Sequence, residues 1–188
     1  MSFLQFSSRE TVLVVCFGNL CRSPMGEALL RCYLPSDQWE VISAGTHAVG
    51  GDPPTVGSCN AIATLAGLDI SQQLSLPLTI DVLRRSDYIF TMSRRQAFLA
   101  ADLVPSSAAS IRLLGAFVPA TGPTCQQVDL YGGPAHTTEI PDPIGGNASV
   151  YEACCSRLID CTKAVVGWLD AGAQAAEAPG TVADWIND

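Results

Sequence analysis

Lysine is almost absent from this chain of 188 residues. Lys163 is the only one among ten basic residues, which face 18 acidic ones for a formal charge of −8. Nucleic-acid binders carry the opposite excess, and so do surfaces that attract anionic lipid, so neither partner is expected. No uninterrupted apolar run reaches the length of a membrane span. Met1 to Glu10 has no basic n-region, and Arg9 and Glu10 break any apolar stretch there. The sequence therefore predicts no membrane span, no secretory leader and a cytoplasmic chain. Charged residues are sparse at 15 %, against 48 % hydrophobic ones, a balance that excludes disorder, collagen and coiled coil. At about 150 residues per domain, a chain of this length holds one domain and buries its own core. It does not need its eight cysteines as staples, and in a reducing compartment they read as free thiols. Cys32, Cys59, Cys154, Cys155 and Cys161 lie in helix-like stretches and read as small core hydrophobes. No internal repeat is present.

Strands and helices alternate along the chain. Thr11 to Cys16 is a short, uncharged, β-branched run, the pattern of a parallel strand buried on both faces. Ser23 and Pro24 suit the opening of a helix that Met25 to Leu34 continues and Pro35 ends. A second strand is expected at Glu40 to Ser43, a helix from Thr55 to Ala66 closed by Gly67, and one or two helical turns at Asp81 to Ser86. Asp87 to Met92 is a third strand, Ser93 caps a helix through about Leu103, and Ile111 to Leu114 is a fourth strand. The stretch 115–140 is rich in Gly, Pro and Thr without a clear period, and loops of this length are usually functional or mobile. Ser149 with Glu152 reads as a capping box. A last amphipathic helix follows, with Tyr151, Cys154, Leu158, Cys161, Val165 and Trp168 on one stripe. The expected organisation is a domain over 1–170 and an Ala-rich acidic tail over 171–188, with Trp185 and Ile186 as docking side chains. The alternation predicts an α/β sandwich, and its first strand-to-helix turn lies at the carboxyl edge of the sheet, where such folds bind ligands.

That turn carries the chemistry. Cys16 and Arg22 bracket Phe17, Gly18, Asn19, Leu20 and Cys21, and Ser23 follows. A loop wrapped around a helix N-terminus turns backbone N–H groups inward and, with the helix dipole, forms an anion site. Gly18 and Asn19 tolerate the backbone angles that this needs. Arg22 adds a planar fork able to hold two phosphate oxygens. The same field lowers a cysteine pKa from about 8.5 into the range ~3.5–7.5, which makes Cys16 a thiolate aimed at phosphorus. Ser23 is placed to donate a hydrogen bond to it. Cleaving a phosphate ester also needs an acid for the leaving group. Asp142, between Pro141 and Pro143 and ahead of Gly145-Gly146, is the candidate. No Gly-x4-Gly-Lys-Ser/Thr is present, so a nucleotide P-loop is excluded. Cys16 and Cys21 have no second Cys/His pair at ligand spacing, so no metal is expected.

The run Val14-Val15-Cys16-Phe17-Gly18-Asn19-Leu20-Cys21-Arg22-Ser23-Pro24-Met25-Gly26-Glu27 resembles the signature of the low-molecular-weight protein tyrosine phosphatases. Asp142-Pro143, ahead of the last helix, resembles that family's general-acid motif. Ser43-Ala44-Gly45-Thr46 and Asp87 to Met92 are similar to family segments at the expected places. The resemblance covers roughly residues 11 to 170. It implies one three-layer domain with a four-stranded parallel sheet of flavodoxin-like topology and helices on both faces. It also implies cofactor-free, metal-free hydrolysis of phosphotyrosine on a protein, through a phosphocysteine, with inorganic phosphate as product. On this likeness Cys16 attacks, Arg22 and the loop amides hold the phosphoryl oxygens, and Asp142 protonates the leaving oxygen and then helps water. Asn19 holds the loop's shape, Ser23 stabilises the thiolate, and Ser43 braces Asn19. Cys21 matches the loop cysteine that forms a protective disulfide with the nucleophile on oxidation.

Three departures sharpen the expectation. Ile144 stands where the family often carries an aromatic cleft wall, leaving Phe17, Tyr131 or Tyr151 as substitutes. A branch of the family that hydrolyses phosphoarginine has a small polar residue at the position of Leu20. The larger, apolar Leu20 suits an aryl ester better than a guanidinium, which favours phosphotyrosine. The stretch 115–140 is longer than the family needs and reads first as a solvated insertion, the alternative being a segment that shapes the cleft with His136 and Glu139. An arsenate reductase on the same scaffold relays oxidation through two further cysteines, yet residues 60–124 contain none, leaving Cys59 and Cys125 as the nearest. A phosphate-binding module without catalysis needs neither thiolate nor acid, and this chain carries both.

Overall fold

The computed structural model describes residues 9–118, 138–173 and 179–186. Four strands, β1 (Glu10–Cys16), β2 (Trp39–Gly45), β3 (Tyr88–Thr91) and β4 (Ile111–Leu113), form one parallel sheet in the order β2-β1-β3-β4. Around it stand α1 (Arg22–Tyr33), α2 (Val56–Ala66), α3 (Ile80–Arg84), α4 (Arg94–Leu103), α5 (Ala148–Asp170) and α6 (Val182–Ile186). Central β1 alternates strictly. Val12 and Val14 enter a core shared with Met25, Leu29 and Leu30 of α1, Ile62 of α2 and Leu158 and Val165 of α5. Leu13 and Val15 enter a second core with Leu83 of α3, Ala97, Ala100 and Ala101 of α4 and Val182 of α6. Both faces of the strand are covered, which is why the sequence shows an unbroken apolar run there. This is the expected three-layer α/β domain.

The winding positions the site. From β1 the chain moves to β2 on one side, then returns past β1 to β3 on the other. The carboxyl end of β1 is thus the switch point, where the two crossovers diverge and leave a crevice. Cys16 sits there, in register with Gly45 of β2.

Local boundaries differ from the sequence reading in instructive places. α1 starts at Arg22, without a side-chain cap, and Ser23 lies inside the helix with its hydroxyl turned to the loop. Ser93 caps α4 as expected, and Thr55 and Thr79 cap α2 and α3 by accepting from Ser58 and Val82 amides. The α5 cap is Asn147 rather than Ser149. Its Oδ1 accepts from the Val150 amide and also from the Ser149 hydroxyl, so Ser149 falls within the first turn. β2 runs on to Gly45 because its pairing with β1 continues to Cys16. The two described ends of the 115–140 segment meet, for a Cβ on Gly115 would lie 2.4 Å from the Thr138 carbonyl oxygen. His136 and Tyr131 lie outside the described residues. So do the side chains of Trp185 and Ile186, whereas fully buried Val182 fastens α6 to the second core.

The cysteines divide. Cys154, Cys155 and Cys161 are buried along the α5 stripe, and Cys59 is half-buried. Cys32 is exposed, contrary to its reading as a core residue, because it follows Leu29 and Leu30 onto the solvent side of α1. Burial pushes the Cys155 and Cys161 thiols from 9.0 up to about 11, and raises Cys154 as well. Above pH 9 the unfolded chain therefore binds fewer protons than the folded one, and stability falls as pH rises between about 9 and about 11. Denaturant midpoints measured across this range should decline, and less steeply in Cys155→Ala. An equal decline in that variant would contradict the assignment.

Candidate active site

β1 delivers Cys16 to the edge of the sheet, and the chain reverses through residues 17–21 into α1. The reversal passes through Asn19, whose φ of 55° lies in the left-handed region that few residues other than glycine adopt. The side-chain amide of this buried residue is held on both ends. Oδ1 accepts from the Leu76 amide at 2.7 Å, while Nδ2 donates to Ser23 Oγ and to Ser43 Oγ, each at 2.8 Å. Its backbone N–H donates to Cys16 Sγ at 3.2 Å, and Ser23 Oγ lies 2.9 Å from the same sulfur. Two hydrogen-bond contacts thus converge on one buried thiol at the N-terminus of a helix with no acidic residue in its first turn.

The loop rests on the end of β2. Thr46 and His47 amides donate to the Cys16 and Phe17 carbonyls at 3.0 and 2.8 Å. A Cβ on Gly45 would come within 2.7–2.8 Å of the Asn19 nitrogen, the Gly18 carbonyl carbon and the Phe17 oxygen, so only glycine fits beneath the loop. On the other side the Thr55 amide donates to the Leu20 carbonyl, and the Thr55 hydroxyl meets Cys21 Sγ at 3.3 Å. Burial outweighs that contact and holds the Cys21 thiol above its ordinary value.

Arg22 is buried, and its guanidinium faces the loop that precedes α5. Nη1 donates to the Ile140 carbonyl at 3.0 Å and Nη2 pairs with Asp142 Oδ2. Nε, also buried, has no hydrogen-bond partner. A buried N–H left unpaired is costly, and Nε is a donor open to an acceptor the described residues do not supply. Asp142 is itself set by its surroundings. The Ile140 amide donates to the Met92 carbonyl at the end of β3, Pro141 and Pro143 stiffen the loop, and the Ile144 amide donates to Asp142 Oδ1.

The structure therefore brings Cys16, Asn19, Cys21, Arg22, Ser23, Ser43 and Asp142 together. Phe17, Gly18 and Leu20 are partly exposed at the mouth. Of the three substitutes for a cleft wall, Tyr151 is buried, with its ring against Gly57. Phe17 instead stacks on exposed His47, ring centroids 4.2 Å apart. Glu139 does not line the cleft, since it accepts from the Arg94 amide at the start of α4. Sequence reading assigned no role to Gly45, His47, Leu76 or Glu27. Gly45 and Glu27 lay within the quoted motifs, but Leu76 acts through its backbone, which leaves no side-chain signal. Among the described residues no group of three or more His, Cys, Asp or Glu is arranged to hold a metal.

A cysteine and an arginine on one anion-binding loop at a switch point, faced by a carboxylate from a second loop, define the class of cysteine-dependent phosphate-loop proteins. The family model for low molecular weight phosphotyrosine protein phosphatase matches residues 11–175, and the chain belongs to that family. It is similar to the Ralstonia solanacearum protein named "Probable low molecular weight protein-tyrosine-phosphatase EpsP", 41% identical over 106 residues, which are 56% of this chain and 71% of that one. It is also similar to an arsenate reductase of Shouchella clausii, 38% identical over 105 residues, covering 56% of this chain and 69% of the relative. Among solved structures, the Erwinia amylovora tyrosine phosphatase AmsI superposes with a TM-score of 0.70 at 27% identity, over 90% of this chain and 97% of its own.

Gly45→Ala tests the support beneath the loop. Forcing a Cβ against three backbone atoms should cost about 1–3 kcal/mol of stability. It should also lower turnover of an aryl phosphate on the order of 100-fold by displacing the loop. Chemical denaturation and steady-state kinetics on the same preparation read both.

Proposed function

We propose that this chain hydrolyses phosphotyrosine on proteins through a phosphocysteine formed on Cys16. The observation that carries the proposal is the buried Cys16 sulfur facing the Asn19 amide and the Ser23 hydroxyl, on a loop whose Arg22 keeps a buried Nε without a hydrogen-bond partner. The phosphoryl group enters the cradle, with its oxygens on the loop amides and the Arg22 guanidinium. Cys16 thiolate attacks phosphorus, an S–P bond forms, and the P–O bond to the tyrosyl oxygen breaks. Protonated Asp142 gives its proton to that oxygen. Its carboxylate then takes a proton from water, which attacks phosphorus, breaks the S–P bond and releases inorganic phosphate with the thiolate restored. No step calls on a metal or organic cofactor.

The ion pair between Arg22 and Asp142 adds a sequence of events. In the free protein the Arg22 guanidinium holds the Asp142 carboxyl. An arriving phosphate dianion competes for the guanidinium with more charge and more acceptors than one carboxylate. Substrate binding therefore releases Asp142 from Arg22 to face the leaving oxygen.

Leu20 supports an aryl ester over a phosphoguanidinium, because an apolar side chain at the mouth packs on a ring and offers no partner to a charged group. An arsenate-reducing relay is disfavoured. Residues 60–118 hold no cysteine, Cys21 is held by Thr55, and Cys154 is sealed in the core. Among the described residues no helix is long and apolar enough to cross a membrane.

Phosphate release from phosphotyrosine and phosphoarginine peptides, side by side, tests the reading, with Cys16→Ser as the blank. The expected result is release from phosphotyrosine that disappears in the blank. Preference for phosphoarginine would keep the mechanism and overturn the role given to Leu20. Asp142→Ala should slow aryl phosphate turnover by 10²–10⁴-fold, the range for general acid–base catalysis, and let phosphocysteine be trapped on quenching.

A further inference from the structure

A cavity of about 480 Å³ opens beside the cleft, and the mechanism gives it no part. Val56, Asn60 and Thr64, one stripe of α2 at four-residue spacing, form one wall. Gly145 and Gly146, just past Asp142, form the other together with Tyr151 and Glu152 of α5. Glycine keeps this space open. Gly57 lets α2 lie on Tyr151, since a Cβ there would come 2.6 Å from the ring, and a Cβ on Gly145 would meet nothing within 4 Å. Two links fasten the cavity to the site. Thr55, which also lines it, donates its amide to the Leu20 carbonyl, and its hydroxyl meets Cys21. Ile144, next to Gly145, is 47% exposed and its amide donates to Asp142. Three residues of chain span at most about 11 Å, so Gly145 stands within that distance of Asp142, Cα to Cα. A phosphotyrosine with its phosphoryl group in the cradle passes Leu20 and Asp142 on the way out. Its neighbours in the substrate chain, about 3.8 Å further along from Cα to Cα, are then obliged to cross this rim.

We infer that this cavity receives a side chain adjacent to the phosphotyrosine of a substrate protein, and that it selects an apolar, uncharged one. The inference rests on the reading of the chain as a phosphotyrosine phosphatase. An acidic neighbour would face two carboxylates, Glu152 in the cavity wall and Asp142 at its edge, and no Lys or Arg is among the described residues that line the space. Arg94 and Arg95 open α4, which packs on the opposite face of the sheet from α2 and α5. A basic neighbour would face the N-termini of α2 and α5, neither with an acidic residue in its first turn, and their dipoles offset the pull of Glu152. An apolar side chain meets neither conflict. Val56, 75% exposed in the free protein, and the Ala61, Ala148 and Tyr151 side chains offer it carbon to bury against.

Phosphotyrosine peptides that differ only in the two flanking residues, set to Leu, Gly, Glu or Lys, test this beside phenyl phosphate, which has no flank. The Leu peptide should exceed the Gly peptide about tenfold in kcat/KM, a factor that burial of one such side chain supports. The gain should appear in KM. The Glu and Lys peptides should not exceed the Gly peptide. Two substitutions at exposed positions of α2 remove the subsite without touching the cradle. Val56→Asp sets a further carboxylate at the cavity, and Asn60→Trp fills it. Each should bring the Leu peptide down to the level of the Gly peptide. Each should also turn over phenyl phosphate like the wild type, which shows that the variants are folded. A wild-type chain inert on phenyl phosphate and on every peptide would overturn the phosphatase reading and this inference with it. Turnover of phenyl phosphate with no preference for Leu, or with Glu or Lys preferred, overturns the inference alone. So does a Leu preference that survives in both variants.

Discussion

One side-chain amide holds the site in shape. Asn19 adopts a left-handed backbone that costs about 1 kcal/mol or more for a residue with a Cβ, and the surroundings over-determine it. Its side-chain carbonyl is bound from the segment after α2, and its amide nitrogen from α1 and β2. Its backbone N–H is left pointing at the sulfur. Two stretches of chain distant in sequence, at Ser43 and at Leu76, meet the loop on this residue. The reversal it permits converts the end of a strand and the start of a helix into a cradle of inward N–H groups. Without the clamp the same residues would form an ordinary capping turn, with no concentrated positive potential to favour a thiolate or to receive a phosphoryl group.

The cradle is completed from two sides by different means. Gly45 lets β2 lie directly beneath the loop, so the fit is steric and tolerates nothing larger. The loop carrying Asp142 is tied to the end of β3 through Ile140 and Met92, and reaches the cradle through charge, by the Arg22 guanidinium. The first contact is rigid and the second exchangeable. That division suits a site whose nucleophile must stay fixed while its acid changes partners between the free enzyme and the substrate complex. Beyond the site, the likeness to AmsI extends over nearly the whole of that protein.

Much of this was legible in the residues. The β-branched run of β1, the break at Gly18-Asn19 and the cluster of Cys16, Arg22 and Ser23 announce a strand, a tight reversal and an anion site, because each of those residue types has a strong local conformational or electrostatic preference. Boundaries were less legible. Ser149 has a good N-cap side chain, but Asn147 two residues earlier accepts the Val150 amide and the Ser149 hydroxyl together, and local propensity does not rank such neighbours. Cys32 is as apolar as Cys155, yet one faces solvent and the other the core, since a helix buries one stripe of a pattern that composition alone does not resolve.

By itself, the sequence determined the α/β alternation and singled out the candidate nucleophile, arginine and carboxylate, since these depend on residue type and on spacing along a few consecutive positions. Only the tertiary structure decided that Asp142 meets Arg22, that Leu76 fixes the Asn19 amide, that Gly45 supports the loop, and that Glu27 accepts the Ser43 hydroxyl. Those relations join residues dozens of positions apart, through backbone groups and hydroxyl protons common to any sequence. Packing two layers of helices on a four-stranded sheet is what brings them within about 3 Å, the reach of a hydrogen bond.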